Sequence, residues 1–522
     1  MRKLSDIINR YGTRTDMPGI NDTPWKTYPV GKNLDVSMRM IEDIFGSSGD
    51  IIRRRFRFGQ SRTKAAMICV DGLIRADRVA LEIIKPLMYG SFLGDEPAIR
   101  PRNMEDIQSI YMTAGESRPA ETFGELVTGV LSGDAAILID GIPGVLIINA
   151  KGFPQRSIED PQTESVLRGP REGFVENMRT NTALLRRRLK TPDLSLETVS
   201  IGRQTNTFVT VAYIRTIADP SLVEEVRQRL SGIDTDGILD SGYIEQYISD
   251  GGSPFFSTIA SSEKPDAVAG KLLEGRVAIL VDGSPYVLTV PTFFIENFQT
   301  TEDYYIAPLY ATLLRIVRFT AFMISLLALP LYVALTTFHQ ELIPTELLLS
   351  MSAAEGNTPF PAVIEGFLMI VVFEILKEAG IRLPRPAGQA VSMVGAIIIG
   401  ETAVSAGIIG APMVIAVAIT AVSAFASPAQ ANASMVLRLL FLFLAGTFGG
   451  LGLALGLMLL LLHLTTLQSF GVPYLSPFVP FHPSDNKDAL MRLPLHLLLT
   501  RPMGLARRNP RRQKPTRRKE KS

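Results

Sequence analysis

Long apolar runs fill the C-terminal part of the chain. Residues 319–338 are twenty consecutive residues without a charge, about the number that an α-helix needs to cross a hydrocarbon core of ~30 Å. Further apolar runs lie at 361–376, 389–409, 411–426 and 439–464. A soluble helical bundle would need charges on its outer faces. The pattern therefore predicts an all-α, multi-span membrane domain over residues 301–480.

Charges next to these runs predict how often the chain crosses the membrane. Basic residues concentrate on the cytoplasmic side of membrane proteins, and here they are Arg315, Arg318, Lys377, Arg382, Arg385 and Arg438. The acidic loop 339–346 and the uncharged turn 410–412 suit the opposite side. A fifth full crossing would put the basic C-terminus outside. We therefore predict four full spans plus one re-entrant or interfacial segment, near Pro361 or in the glycine-rich stretch 446–452.

The N-terminal half contains an internal repeat with an offset of 142 residues. Three pairs of segments match at this offset: 135–146 with 277–288, 66–71 with 208–213, and Ala76-Asp77 with Ala218-Asp219. Each copy is predicted to contain a strand, a helix, a linker and a hairpin with Asp-Gly and Pro at its turn. The expected fold is thus an α/β cytosolic region of two duplicated subdomains, followed by the all-α membrane domain.

The expected domain boundaries follow from this repeat and from the apolar runs. They are a lead-in at 1–49, subdomain 1 at 50–150, a polar connector with an Arg-rich helix at 151–199, subdomain 2 at 200–300, the membrane domain at 301–480 and a basic cytoplasmic tail at 481–522. The connector arginines are predicted to contact a neighbouring subunit or membrane lipid; they are Arg168, Arg171, Arg186, Arg187 and Arg188. An exposed connector helix with internal ion pairs is the alternative.

Composition limits where the soluble half and the C-terminal tail can lie and which partners they can bind. The formal charge is +2, but the last 22 residues contain ten Lys or Arg and one acid, Glu520. A basic segment beside membrane helices is typical of the cytoplasmic side, and without interleaved aromatic residues it does not favour nucleic acid. The single cysteine, Cys69, excludes an intramolecular disulfide. The N-terminus has no apolar signal segment, so we expect the N-terminal half to stay cytosolic.

One motif resembles an enzyme site. Residues 234–241, Asp-Thr-Asp-Gly-Ile-Leu-Asp-Ser, are similar to a phosphatase loop in which the first Asp attacks phosphate and the second is a general acid. That chemistry needs the loop to follow a buried strand, whereas here it follows an amphipathic helix pattern. We favour a turn between two helices, with Asp240 or Ser241 as the cap. A hydrolase using Asp234 and Asp236 remains an alternative.

No metal site or cofactor is predicted from the sequence. The four histidines lack the spacing of metal ligands; they are His339, His463, His482 and His496. The stretch 449–456, Gly-Gly-Leu-Gly-Leu-Ala-Leu-Gly, lies inside an apolar run. It predicts a face for close helix packing rather than a nucleotide-binding loop.

Carboxylates inside the apolar runs are candidates for function, because a charge in hydrocarbon is costly. They are Glu365, Glu374 and Glu401. On the helix expected at 389–409, small residues form a packing stripe, namely Ser392, Ala396, Gly400, Ala403 and Gly407. A different face is predicted to line a pore, with Val394, Ile397, Glu401, Ser405 and Ile408. Alternatively, Glu401 makes a structural hydrogen bond to a neighbour.

Several further stretches carry a family resemblance. These are Glu159-Asp-Pro-Gln-Thr-Glu164, Arg168-Gly-Pro-Arg-Glu-Gly-Phe174, Gly237-Ile-Leu-Asp-Ser-Gly-Tyr243, Ala334-Leu-Thr-Thr-Phe-His339 and Phe470-Gly-Val-Pro-Tyr-Leu-Ser-Pro477. Together they resemble the A subunit of the spore germinant receptors (GerA type). The resemblance implies a place in the spore inner membrane, beside a transporter-like B subunit that binds the nutrient and a C-subunit lipoprotein. It also implies a homo-oligomer that forms a nutrient-gated ion channel; many family members carry Gln at the position of Glu401.

We therefore expect a non-enzymatic receptor subunit whose spans around residues 389–409 form an ion-conducting pore that triggers germination. A secondary transporter is the main alternative from another class. It is disfavoured because the repeat lies in the soluble half and no inverted repeat is visible among the spans.

Overall fold

The structure, a computed structural model, describes residues 24–59, 62–89, 103–111, 116–152, 164, 168–251, 255–356, 358–382, 400–506 and 508–514. The chain forms two compact units. One comprises Met1–Ser157 and Arg179–Glu197, and the other comprises Ile158–Met178 and Thr198–Ser522.

The first unit contains a five-stranded antiparallel sheet with the strand order β1-β2-β4-β5-β3. Its strands are β1 (Ile51–Phe58), β2 (Thr63–Val70), β3 (Ser117–Ala120), β4 (Asp134–Ile139) and β5 (Val145–Asn149). Its helices are α1 (Leu34–Phe45), α2 (Met104–Tyr111), α3 (Phe123–Leu131) and a helical stretch made of Ala76–Arg78, Val79–Ile84 and Lys85–Tyr89.

Both faces of this sheet are covered, which is why its central strands are apolar throughout. On one face α1 and α3 pack on even-numbered residues of β2 such as Ile68. On the other face the helical stretch and α2 pack on odd-numbered residues such as Met67. Sequence signals begin both helices of the first face: the Asn33 side chain caps α1, and Thr122 and Glu125 form a capping box on α3.

A second five-stranded sheet has the equivalent order, β6-β7-β9-β10-β8. Its strands are β6 (Leu194–Ile201), β7 (Thr207–Ile214), β8 (Ala260–Ser262), β9 (Val277–Val281) and β10 (Val287–Val290). Its helices are α5 (Pro220–Ser231), α6 (Ser241–Ile248) and α7 (Pro265–Leu273). Helix α4 (Met178–Arg188) precedes this sheet in the chain and belongs, from Arg179 onward, to the first unit. The shared order of strands supports the internal repeat and confirms an α/β region with two sheets.

Strand register and the helix starts correct two of the three matches that defined the repeat, since the helical stretch begins at Ala76 and α5 begins 144 positions later, at Pro220. Leu138 lies opposite Ala66, and its equivalent Leu280 lies opposite Thr210. Ala66 therefore corresponds to Thr210 and not to Phe208, so the offset is 144 residues before the linker and 142 after it. A shift of two keeps each side chain on the same face of its strand, which is why the sequence pattern did not reveal it.

The helices that precede each sheet also correspond. Asp140 accepts a hydrogen bond from the first backbone N–H of α1, at Leu34, and Asp282 accepts one from that of α4, at Met178, both at 3.1 Å. Each copy thus starts with a helix that the sequence boundaries had assigned to the lead-in or to the connector.

The rest of the second unit is a helical bundle. Its helices are α8 (Pro308–Phe338), α9 (Thr345–Glu355), α10 (Ala362–Arg382), α11 (Ala411–Phe425) and α12 (Ala431–Thr466). Among the described residues, two helices, Pro308–Phe338 and Pro428–Thr466, are long and apolar enough to cross a membrane, and Ala411–Phe425 is apolar but shorter.

Helix α12 is in fact a hairpin of two antiparallel helices. Gly449 has a non-helical backbone with φ +59° and ψ −139°. A Cβ at Gly456 would lie 2.8 Å from the Phe441 ring, although fifteen residues of straight helix would separate them by about 22 Å. The Gly-rich stretch therefore packs the returning half closely on the first half, which confirms its predicted close-packing face.

Contacts fix the direction of each helix between the base, where α8 begins, and the tip, where it ends at Phe338. Helix α10 runs from tip to base. Near its start, Gly366 lies beside Leu329 of α8. Further along α10, Glu374 lies near Arg438, which bonds to Ser325, a residue of α8 closer to the base. The chain is back at the tip at Gly410, which bonds to Glu365.

Helix α11 then runs from tip to base, the first half of the α12 hairpin runs from base to tip, and its second half runs back to the base. Ser427, after α11, donates to the Arg318 carbonyl at the base. Gly449 meets Phe338 at the tip, and Leu464 joins a base cluster that contains Phe294 and Phe322. Both termini of the bundle therefore lie at the base.

Candidate functional site

The helix predicted to line a pore is described from residue 400. Residues 400–405 are helical, whereas Val394 and Ile397 lie outside the described residues. Glu401, Ser405 and Ile408 are exposed in the single chain. Glu401 and Ser405 are four positions apart and so share one helix face. An acidic and a hydroxyl side chain thus point away from the chain's own bundle, and the pore-lining role stays a prediction.

The predicted packing stripe lies partly on the same helix. Ser392 and Ala396 fall outside the described residues. A Cβ at Gly400 would lie 3.8 Å from the Val414 side chain of α11. Ala403 is half-buried against a cluster of α8 and α11 residues. These two small residues face the chain's own helices, and the packing stripe as a whole stays a prediction.

Gly407 ends this helix. Its φ is +64°, and it donates its N–H to the Val404 carbonyl while Ile408 donates to the Ala403 carbonyl, both at 3.0 Å. This pair of bonds is a Schellman motif, for which glycine is the favoured residue. The structure therefore gives Gly407 a local reason to be glycine besides the predicted packing.

Glu365 is buried at the tip and has a backbone partner. Its carboxylate accepts the Gly410 N–H at 3.1 Å, at the start of α11, where a negative charge is stabilised by the helix dipole. Tyr332 donates to Glu355 at 2.5 Å. Both carboxylates lie beside Gly410, where an added Cβ would be 3.5 Å from Glu355 and 3.8 Å from Glu365.

Arg438 is buried within the bundle rather than in a loop, which corrects its use as a marker of a cytoplasmic end. Its Nε donates to the Ser325 carbonyl of α8 at 2.9 Å, and its Nη1 lies 3.9 Å from the Glu374 carboxylate. Lys377 pairs with the same carboxylate at 2.8 Å. Glu374 is therefore held by two cations, and these side chains tie three helices together.

The connector arginines occupy different environments. Arg186 is fully buried in the first unit, where it pairs with both carboxylate oxygens of Asp50 at 2.9 Å and donates to the Ser48 hydroxyl and the Leu194 carbonyl. Arg168 and Arg171 are exposed, and Arg187 and Arg188 are half-buried. Arg186 thus has an internal structural role in this unit. Subunit or membrane contact stays a prediction for this set.

A buried ionic network lies at the base of α8. Asp303 is fully buried and accepts from Arg315 at 2.9 Å and from Arg318 at 3.0 Å. Arg315 also bonds to Asp488 at 3.0 Å, and Tyr304 donates to the same residue at 2.9 Å. Sequence reasoning used the two arginines as flanking charges but missed both acids, because Asp488 is 173 residues away from Arg315.

A second network joins subdomain 2 to the segment that leads into α8. Arg276 pairs with Glu296 and lies 3.6 Å from Glu274. Burial raises the pKa of Glu274 above its ordinary value, against the pull of Arg276 and Arg512. Burial also lowers the pKa of Lys271, against the attraction of Glu296. The cations and acids are thus held together in a partly dehydrated site.

The phosphatase-like loop joins two helices, as favoured above. It connects α5 to α6, and the Asp240 side chain caps α6 by accepting the Gly242 N–H at 3.0 Å. Asp234 is exposed and pairs with Arg203 at 2.5 Å. Arg203 lowers the pKa of Asp234 through a hydrogen bond and its charge. Neither Asp234 nor Asp236 follows a buried strand. In the described parts of the chain, no group of three His, Cys, Asp or Glu side chains could hold a metal.

Comparisons with known proteins agree on one family. The family model described as "Bacillus/Clostridium GerA spore germination protein" matches residues 39–503. The chain is 44% identical to Spore germination protein KA of Bacillus subtilis (strain 168) over 452 residues, which are 86% of this chain and 82% of that protein. It is 39% identical to the Uncharacterized membrane protein YfkQ of the same organism over 485 residues, covering 92% and 93%.

A solved structure is also similar. It is the crystal structure of the N-terminal domain of the A subunit of the Bacillus megaterium spore germinant receptor GerK3. The match has 35% sequence identity and a TM-score of 0.40, and it covers 51% of this chain and 98% of that one.

Proposed function

The chain belongs to the GerA family of spore germination proteins, and we propose from this premise that it forms the pore of a nutrient-responsive germination receptor. In this proposal several copies assemble in the membrane around a water-filled path that ligand binding opens. The passage of ions through it triggers germination.

The observation that carries the proposal is the exposed polar face formed by Glu401 and Ser405. These residues belong to an apolar bundle whose other exposed side chains, such as Ile415 and Val422, suit lipid. A carboxylate facing hydrocarbon costs several kcal/mol or more. That cost is avoided if the face is covered by a neighbouring copy and borders water. A ring of such carboxylates favours cations over anions.

The directions of the described helices support more crossings than the four predicted from the sequence. Helices α8, α10 and α11 each connect base and tip, and the hairpin in α12 adds two passages. Because the bundle begins and ends at the base, the soluble subdomains and the C-terminal segment lie on one side of the membrane in this proposal. We assign that side to the cytoplasm because basic loops prefer to lie there.

The partners and location are proposed from the family resemblance. They are a transporter-like B subunit, a lipoprotein C subunit and membrane lipid, in the spore inner membrane. Nutrient binding on the partner would favour the conducting arrangement by binding it more tightly than the closed one.

Replacement of Glu401 by Gln tests the pore. Receptors with Glu401→Gln should still release ions on stimulation, since the amide keeps the size and polarity of the side chain, but the preference for cations over anions should fall severalfold. The matched control is Glu346→Gln, an exposed acid in the first turn of α9, which should leave selectivity unchanged. Wild-type selectivity in Glu401→Gln, measured as the reversal potential under a salt gradient, would remove Glu401 from the conduction path.

A further inference from the structure

Residues 467–512 form a segment, here called the strap, that packs against subdomain 2 and the base of the bundle. It follows α12 directly and begins with a small hairpin, Gln468–Ser469 paired with Val472–Pro473. The sequence predicted a basic cytoplasmic tail from residue 481. In the structure the strap makes three sets of contacts instead.

The first contact inserts Phe470 into subdomain 2. Its ring lies in the same core as α5 and α6, and the Arg229 guanidinium stacks on it with 4.0 Å to the ring centroid. Asp250 accepts the Phe470 backbone N–H at 2.6 Å and pairs with Arg229 at the same distance. Phe470 has φ +48°, a conformation that costs a non-glycine residue energy, so its partners must hold it there.

The second contact is at the end of α7. Arg501 donates to the Leu273 carbonyl at 2.7 Å. Gly275 has φ +98°, and a Cβ there would lie 3.2 Å from the Leu505 carbonyl and 3.3 Å from Ala506. The strap therefore lies directly on the backbone of subdomain 2.

The third contact reaches α8. Asp488 bonds to Arg315, and Arg492 donates to the Tyr304 carbonyl at 3.2 Å. The guanidinium groups of Arg315 and Arg492 lie 5.6 and 5.7 Å from the Tyr304 ring centroid, within range for cation–π attraction. One segment thus binds subdomain 2, the first helix of the bundle and, through the chain, the last one.

We propose that the strap is the mechanical link by which subdomain 2 moves the membrane bundle, through α8 and α12, with Phe470 as the positioning residue. This inference rests on the proposed function. Phe470 lies four positions after Thr466, the last residue of α12, and four steps along an extended chain span at most about 14 Å. A rotation of α5 and α6 therefore pulls on the end of α12 as long as the Phe470 ring stays buried between these helices and Arg229.

The test uses the complete receptor in spores or in proteoliposomes, with ion release measured before and after the nutrient stimulus. Phe470→Ala removes the ring from the core of subdomain 2 and should reduce the stimulated ion release at least tenfold. The unstimulated leak and the amount and size of the membrane complex should stay at wild-type values. Phe470→Leu, which refills most of the apolar volume, should restore a large part of the response. Phe481→Ala is the matched control, because Phe481 lies on the same strap but is exposed.

The outcomes separate the two proposals. A normal response of Phe470→Ala overturns the strap inference, whereas absence of stimulated release from the wild-type complex overturns the proposed function itself. If Phe470→Ala does not accumulate, Arg229→Lys decides, because it keeps the ion pair with Asp250 and removes the flat stacking on the ring. A wild-type response of that variant overturns the inference, and a weakened response at normal abundance supports it.

Discussion

Gly133 and Gly275 hold the same position in the two repeats, and their surroundings differ. Their φ angles are +93° and +98°, values that favour glycine in both. A Cβ at Gly133 would approach Leu73 and Lys151 of its own unit, whereas one at Gly275 would approach the strap. The backbone of the repeat is thus preserved while one copy has gained an external attachment.

Buried charges show the same contrast. In the first unit Arg186 and Asp50 form a closed pair with Ser48. In subdomain 2 and at the base of α8 the buried charges reach the strap through Asp488 and Arg512. The Arg186–Asp50 pair therefore holds α4 within the first unit, whereas the second set of charges ties subdomain 2 to the strap and to α8. In our proposal this attachment is what lets subdomain 2 act on the bundle.

The largest expected effect comes from breaking the network at the base. Asp303→Ala leaves Arg315 and Arg318 without their shared partner, and removing one partner of a buried ion pair costs roughly 3–5 kcal/mol. Amide hydrogen exchange in the full-length protein should accelerate in the strap and at the start of α8, with the first sheet unchanged. Arg186→Met is the matched variant, with a comparable cost confined to the first unit. Equal loss of protection in both units after either change would contradict the comparison.

The equivalent glycines of the two repeats, Gly133 and Gly275, allow a more selective test. Gly133→Ala and Gly275→Ala impose similar backbone strain, about 1–3 kcal/mol each. Gly275→Ala should in addition displace the Leu505 carbonyl and expose the strap to proteolysis. Limited proteolysis of the intact chain should show faster cleavage in residues 499–512 for Gly275→Ala alone. The same cleavage rate in both variants would show that the strap does not depend on this contact.

The smallest expected effect involves the hairpin turn of each repeat. Ile142 is buried in the first copy, whereas its equivalent Ser284 donates to Asp240, the cap of α6. Burial opposes ionisation of Asp240, but hydrogen bonds from Ser284 and Gly242 outweigh it and hold its pKa below the ordinary aspartate value. Asp240→Ala should destabilise α6 by about 1 kcal/mol at neutral pH.

The pH dependence of that effect follows from the lowered pKa. A carboxylate with a lower pKa in the folded state stabilises the fold above its unfolded pKa, about 3.9, and loses that contribution as the pH falls through the folded value. Hydrogen exchange of α6 should therefore differ between wild type and Asp240→Ala at pH 7 and converge below about pH 4. A difference that persists in acid would assign the effect to lost packing instead.

Features with a local sequence signal could be predicted. The internal repeat with its Asp-Gly turns predicted two α/β subdomains, and the loop around Asp234 was recognised as a turn because a helix pattern precedes it. The stretch 446–452 was a candidate for a re-entrant segment, but the antiparallel helix pair that turns at Gly449 was not predicted, because an apolar run gives no polar signal where two helices in contact change direction. Three partners could not be predicted because they lie more than 100 positions away in the sequence: Asp488 for Arg315, Ser325 for Arg438 and Asp250 for Phe470.

Current recording from the purified complete receptor in a planar bilayer tests the central claim most directly. The account predicts that the nutrient opens cation-selective currents through an assembly of several copies, and that Phe470→Ala abolishes the opening without abolishing assembly. A receptor that binds its nutrient and contains every partner, yet passes no current under any applied voltage, would contradict the account.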